Sequence, residues 1–191
     1  MPLPKINTPT YELEIPSTGK KIKYRPFLVR EEKILVMALE TEDMGQISNA
    51  IVEILSACIN TRGVKVQELA MFDIEYLFLN VRAKSVGEKI DVTVTCPDDG
   101  ETQVQTEIDI DTIRVQKDKE HTNIIKLDDT LSMKLKYPSM DQFVENNFEI
   151  EGDGGVDQSL EMISSCIEMI YNDDECWSAK DSTKKEMMEF V

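Results

Sequence analysis

The stretch EKIDVTVTCPDDGETQVQTEIDI, residues 88–110, places two alternating runs on either side of an Asp-Asp-Gly turn. Ile90, Val92, Val94 and Cys96 share one face of the first run. Val104, Thr106, Ile108 and Ile110 share one face of the second. A period of two is that of a strand, and Asp-Gly between such runs is a strong hairpin signal. An antiparallel pair is therefore expected in the middle of the chain, and the remaining elements are read around it.

Upstream, YELEIPSTGKKIKYRPF predicts another hairpin, with Tyr11, Leu13 and Ile15 answered by Ile22 and Tyr24 across Ser17-Thr18-Gly19. Three helical stretches are expected next. Residues 30–42 carry Ile34, Leu35, Met37, Ala38 and Leu39. Residues 46–59 place Ile47, Ile51, Ile54, Leu55 and Cys58 at helical spacing. In VQELAMFDIEYLFLNVRAKSVGE, residues 66–88, Phe72, Ile74, Tyr76 and Phe78 alternate as in a strand. Leu77, Leu79 and Val81 fill the gaps, and the length of the run favours a helix that Gly87 ends. TNIIKL and TLSMKLKYP predict a further strand pair. Ser139 with Gln142 reads as a capping box opening a helix that bears Phe143, Val144 and Phe148. Residues 158–171 read as one helix with Leu160, Ile163, Ile167 and Ile170 on its main face. Thr183 with Glu186 announces a last short helix. The class expected is α+β: an N-terminal hairpin, a three-helix segment, antiparallel hairpins and C-terminal helices. The division expected is an α+β domain over 1–137 and an acidic helical region over 138–191.

Charge narrows the function. The net charge is −16, and the segment from residue 138 onward holds 14 acidic residues against 3 basic ones. Nucleic-acid binding needs clustered Lys and Arg to neutralise phosphates, so none is expected. No apolar run approaches the ~20 residues of a membrane span. MPLPKINTPTYELEIP lacks the apolar core of a secretion signal, so Cys58, Cys96, Cys166 and Cys176 are expected as reduced thiols in a cytoplasm.

Cys96-Pro97 before a Gly-containing turn looks like half a zinc knuckle, yet Asp98 and Asp99 stand where a second thiolate is required. His121 has no obvious partner. In the acidic loop 149–161, Glu149, Glu151, Asp153, Gly154 and Asp157 fit a calcium-loop pattern, but its bidentate position is Leu160. No metal or cofactor is expected. There is no Gly-rich phosphate loop or His-based triad, and one histidine narrows acid–base options. The chain is expected not to be an enzyme. Methionine points elsewhere: Met adapts its shape to surfaces that receive helices. Met162, Met169, Met187 and Met188, with Phe190, are the candidate partner-binding residues. Ordinary core packing is the competing explanation for Met162 and Met169, and Met187, Met188 and Phe190 need a surface to bury against, on the same domain or on a partner.

PTYELEIPSTGKKIKYRPFLVREEKILVMALE, TRGVKVQELAMFDIEYLFLNVRAKSVGE, the TCPDDG turn and LKYPSMDQF together resemble the baseplate hub assembly proteins of T-even-type contractile-tailed bacteriophages. The resemblance runs from about Pro4 to Trp177. It implies a non-enzymatic protein that binds hub or tape-measure components during tail construction in the infected host's cytoplasm. It supplies no catalytic residues. Members are expected to continue through a further helical segment where this chain halts after Phe190, which leaves the completeness of the last helix open. A chaperone that leaves the particle, a permanent hub subunit, and a metal-binding protein or enzyme are the alternatives carried forward.

Overall fold

A computed structural model describes residues 7–118, 120–140, 142 and 155–190. The architecture is α+β, as the sequence predicts. The chain forms two compact units, the first from residues up to 66 with 72–115, the second from 67–71 with 116–191.

The first unit begins with strands β1 (Tyr11–Glu14) and β2 (Lys21–Tyr24), antiparallel with Tyr11 opposite Tyr24 and Leu13 opposite Ile22. The turn needs Gly19, whose φ of 69° suits a residue without a Cβ. Helices α1 (Val29–Leu39), α2 (Met44–Cys58) and α3 (Met71–Ser85) follow. Ile54, Leu55 and Cys58 of α2 are buried, as are Ile74, Leu77 and Val81 of α3. The spacing of the last three settles 66–88 in favour of a helix, preceded by a single 3-10 turn at Val66–Glu68. The chain leaving α2 takes up the far edge of β2: Arg25 N–H donates to Cys58 O at 2.9 Å, and Asn60 N–H to Lys23 O at 2.8 Å.

Two buried carboxylates tie these pieces together. Asp73, in the first turn of α3, is 0% exposed. It accepts the Ser17 backbone N–H at 2.9 Å and the Ser17 hydroxyl, fastening the β1–β2 turn to α3. Glu31 closes the start of α1 by accepting Leu28 N–H at 2.6 Å, a reciprocal cap on a residue with no capping side chain of its own. Arg25 at 3.1 Å and Arg30 at 2.8 Å neutralise it. Burial raises the Glu31 carboxyl, but these hydrogen bonds outweigh it and bring its pKa from an ordinary 4.5 to about 2.

After α3, Gly87 at φ 143° turns the chain into β3 (Lys89–Thr95) and β4 (Gln103–Asp109), paired in continuous register from Lys89–Asp109 to Thr95–Gln103. This is the expected hairpin, and it forms a sheet of its own.

The second unit holds a four-stranded antiparallel sheet in the order β5 (Ile124–Lys126), β6 (Ser132–Leu135), β7 (Ile167–Tyr171), β8 (Cys176–Ser178). Helix α4 (Gly155–Cys166) runs directly into β7, and α5 (Lys184–Phe190) ends the described chain. Two expectations are corrected here. The helix expected over 158–171 stops at Cys166, and its last third is β7. The hydroxyls of Ser164 and Ser165 turn back onto Glu161 O and Met162 O at 2.8 Å each, which weakens a helix end. The following Ile-Glu-Met-Ile-Tyr then satisfies its backbone between β6 and β8. The division expected at 137/138 also fails, because the β6–β7 pairing runs across it. The Ser139–Gln142 box is present, with Ser139 N–H on Gln142 Oε1 at 3.0 Å and Gln142 N–H on Ser139 Oγ at 3.3 Å. Phe143, Val144 and Phe148 lie outside the described residues.

Replacing Asp73 with Ala should lower stability by about 2–3 kcal/mol in urea titration, because it strands the Ser17 donors. A loss below ~0.5 kcal/mol, the size of an ordinary surface change, would contradict this role. Glu31 yields a pH prediction. Its folded pKa lies below the unfolded value, so its contribution is complete above pH 4.5 and is lost as pH falls toward 2. On the order of 3 kcal/mol should disappear across that window. In Glu31→Gln the acid-dependent loss should be visibly shallower when melting is followed against pH.

Candidate functional site

The second unit carries the residues singled out for partner binding. In its sheet Met133, Ile170 and Trp177 stand opposite one another on neighbouring strands and share a face, while Lys134, Met169 and Ser178 share the other. A bulge between Lys134 and Leu135 shifts the register, so Ile167 and Ile170, three apart, are both buried. Helix α5 covers the first face. Thr183 N–H donates to Glu186 Oε2 at 2.7 Å and Glu186 N–H to Thr183 Oγ1 at 3.3 Å, the expected capping box. So anchored, α5 puts Met187 among Met133, Ile167 and Ile170.

The five candidates therefore separate. Met187 is 8% exposed and belongs to the unit's own core. Met188 is half-buried, and Phe190 at the end of the same helix is 43% exposed. Met162 is half-buried on α4. Met169 lies on a strand rather than a helix. With Lys134, Tyr171 and the loop to Cys176 it lines a shallow recess of about 530 Å³ on the face opposite Met187. Two exposed residues escaped the sequence reading as surface candidates. Trp177 is 44% exposed because it is on the short edge strand β8, which has too few residues to show alternation. Ile163 is 46% exposed although it was placed on the main buried face. Ending the helix at Cys166 removes the longer apolar stripe that assigned it there.

The chemical candidates resolve into local structure. Cys96 is half-buried at the mouth of the β3–β4 turn, its N–H on Thr102 O at 2.8 Å. Asp99 accepts the Glu101 and Thr102 N–H groups at 3.0 Å each, together with the Thr102 hydroxyl. The Thr102 hydroxyl and these amides hold its carboxyl at about 2. The aspartate is spent on the turn. Cys58 is sealed in the first unit, where burial pushes its thiol up to about 11, far from the thiolate that reacts or binds metal. His121, expected without a partner, hydrogen-bonds Tyr137 Oη through Nε2 at 2.8 Å and stacks on its ring. Of the acidic loop, residues 149–154 lie outside the described residues, whereas Leu160 and Glu161 are within α4. Among the described residues no three His, Cys, Asp or Glu groups converge as a metal centre requires. No described helix is long and apolar enough to cross a membrane.

A profile of the family described as T4 bacteriophage base plate protein matches residues 8–191. The chain belongs to that family. The match takes in both units. Neither a curated protein nor a solved structure matches the chain. The partners of this base plate protein are thereby other structural proteins of the phage.

The division between Met187 and Phe190 can be measured. Met187→Ala should cost about 2–3 kcal/mol through the cavity it leaves. Phe190→Ser should stay within about 0.5 kcal/mol of the parent, as an exposed change does. Equal losses for both in chemical denaturation would mean that the end of α5 is as fully packed as its middle.

Proposed function

We propose that this base plate protein acts in building the baseplate hub, binding hub or tape-measure components in the infected host's cytoplasm and holding them ready without bond chemistry. What supports this reading is the apolar surface of the second unit. Trp177, opposite buried Ile170, and Phe190, three residues on from buried Met187 in α5, stand exposed at the margin of the small cluster of Met133, Ile167, Ile170 and Met187, and Ile163 is exposed on α4. Exposed apolar side chains that adjoin one another, rather than lie scattered, mark a surface for a partner to cover. Half-buried Met162, Met169 and Met188 supply adaptable edges to it. The resemblance of the quoted segments to hub assembly proteins directs the choice of partner. Being required while the tail forms, the protein would be a late product acting as a chaperone.

A permanent hub subunit is the second reading, favoured by the regular β3–β4 ribbon, whose seven paired positions offer a fixed rather than an adaptable surface. Mass spectrometry of purified particles distinguishes the two. A chaperone should be absent or far below the stoichiometry of the hub proteins, and stoichiometric presence would reject that role. The surface is tested by Trp177→Ser combined with Phe190→Ser, leaving the core residue Met187 intact. Co-purification of hub or tape-measure proteins from infected cells should drop at least tenfold while the melting temperature holds. Undiminished co-purification would remove the second unit from the binding surface.

A further inference from the structure

The β3–β4 ribbon has an edge with which no other described strand pairs. Every residue of β4 is exposed, including Val104 at 56% and Ile108 at 41%. Among the described residues no strand pairs with its outer side. The hydrogen-bond phase identifies the groups that face outward. Cys96 N–H bonds Thr102 O and Ile110 N–H bonds Glu88 O, so the even-numbered residues of β4 face β3. Gln103, Gln105, Glu107 and Asp109 direct their peptide groups away from it. The Asp109 carbonyl is taken by the Thr112 hydroxyl at 2.7 Å, leaving Gln103, Gln105 and Glu107 as a strand-length template.

Proteins usually blunt such edges with short strands, proline, lysine or bulges. The edges of the four-stranded sheet follow that rule, β5 and β8 being three residues each. β4 is seven residues long, holds neither Pro nor Lys, and has no bulge. Its protection is a net negative charge: from Lys89 to Asp109 the ribbon has six acidic residues and one basic residue, Lys89, which pairs with Glu107 at 2.7 Å. Negative charge repels a second copy of the same edge and attracts a cationic strand.

We infer that β4 receives, by strand addition, an extended segment of a phage structural protein in which apolar residues alternate with Lys or Arg. Pairing on Gln103, Gln105 and Glu107 places the segment's apolar side chains beside Val104 and Ile108. Its cationic side chains fall on the opposite face, beside Asp109 and beside Glu107, where they share the carboxylate with Lys89. The inference stands on the ribbon and does not depend on the hub reading, since any structural protein of the phage with such a segment satisfies it.

The test uses the full chain with a photo-crosslinking amino acid in place of Gln103, expressed during infection, and identifies the crosslinked peptide by mass spectrometry. The expected product joins β4 to a segment with more Lys and Arg than Asp and Glu. Gln105→Pro should cut its yield at least tenfold, because it removes one outward N–H at a position where an edge strand tolerates proline. Gln105→Ala should leave it unchanged. Circular dichroism and melting check that the proline variant folds. If it does not, Glu107→Lys replaces it and should reduce the yield through charge alone. A crosslink to a second copy, a crosslink to an acidic or neutral segment, no crosslink from folded protein, or indifference to a folded Gln105→Pro or to Glu107→Lys would each overturn the inference.

Discussion

The carboxylate of Asp73 organises the first unit. A two-stranded hairpin of four-residue strands has little stability in isolation and needs something to pack against. Asp73 joins its turn to the first helical turn of α3, where a negative charge also meets the positive end of the helix dipole. In the unit so joined, Ile15, Ile22 and Tyr24 of the hairpin are buried, as are Ile74, Leu77 and Val81 of α3. The exit of α2 then closes the free edge of β2. A polar contact here specifies geometry, while the aliphatic side chains around it supply most of the free energy.

How far this was legible depends on whether an element is specified by its own residues. Both hairpins of the first unit were, since Gly19 and Asp99-Gly100 set turns that only a few residue types accept. So were α2 and α3, whose apolar residues recur at helical spacing. β7 was not. Ser-Ser-Cys-Ile-Glu-Met-Ile-Tyr continues a helical stripe as readily as it forms a strand, and the choice is made by pairing with Ser132–Leu135 and Cys176–Ser178. Ser132–Leu135 is too far away in sequence for a local pattern to register it, and Cys176–Ser178, though only a four-residue turn away, is too short to show alternation. The candidate residues divide at the same place. Because α5 is too short to be stable alone, its sequence leaves open whether Met187 docks on its own domain or on a partner, and the sheet that buries it is built on the unforeseen strand.

Charge and apolar exposure describe one strategy. A net charge of −16 opposes self-association of a chain that leaves Trp177, Phe190 and Val104 in solvent. Neutral proteins with the same exposure would tend to self-associate. Membership of a base plate family supplies the setting, in which the partners are other structural proteins of the phage.

The β6–β7 pairing joins neighbouring strands across residues 136–166. Bringing the ends of a long excursion together has an entropy cost that rises only logarithmically, about 0.6 kcal/mol for each doubling of length. What constrains this connection is therefore less its length than its two ends: Ser139 bridges Ala70 and Met140 is buried at one, and α4 must deliver Ile167 in register at the other.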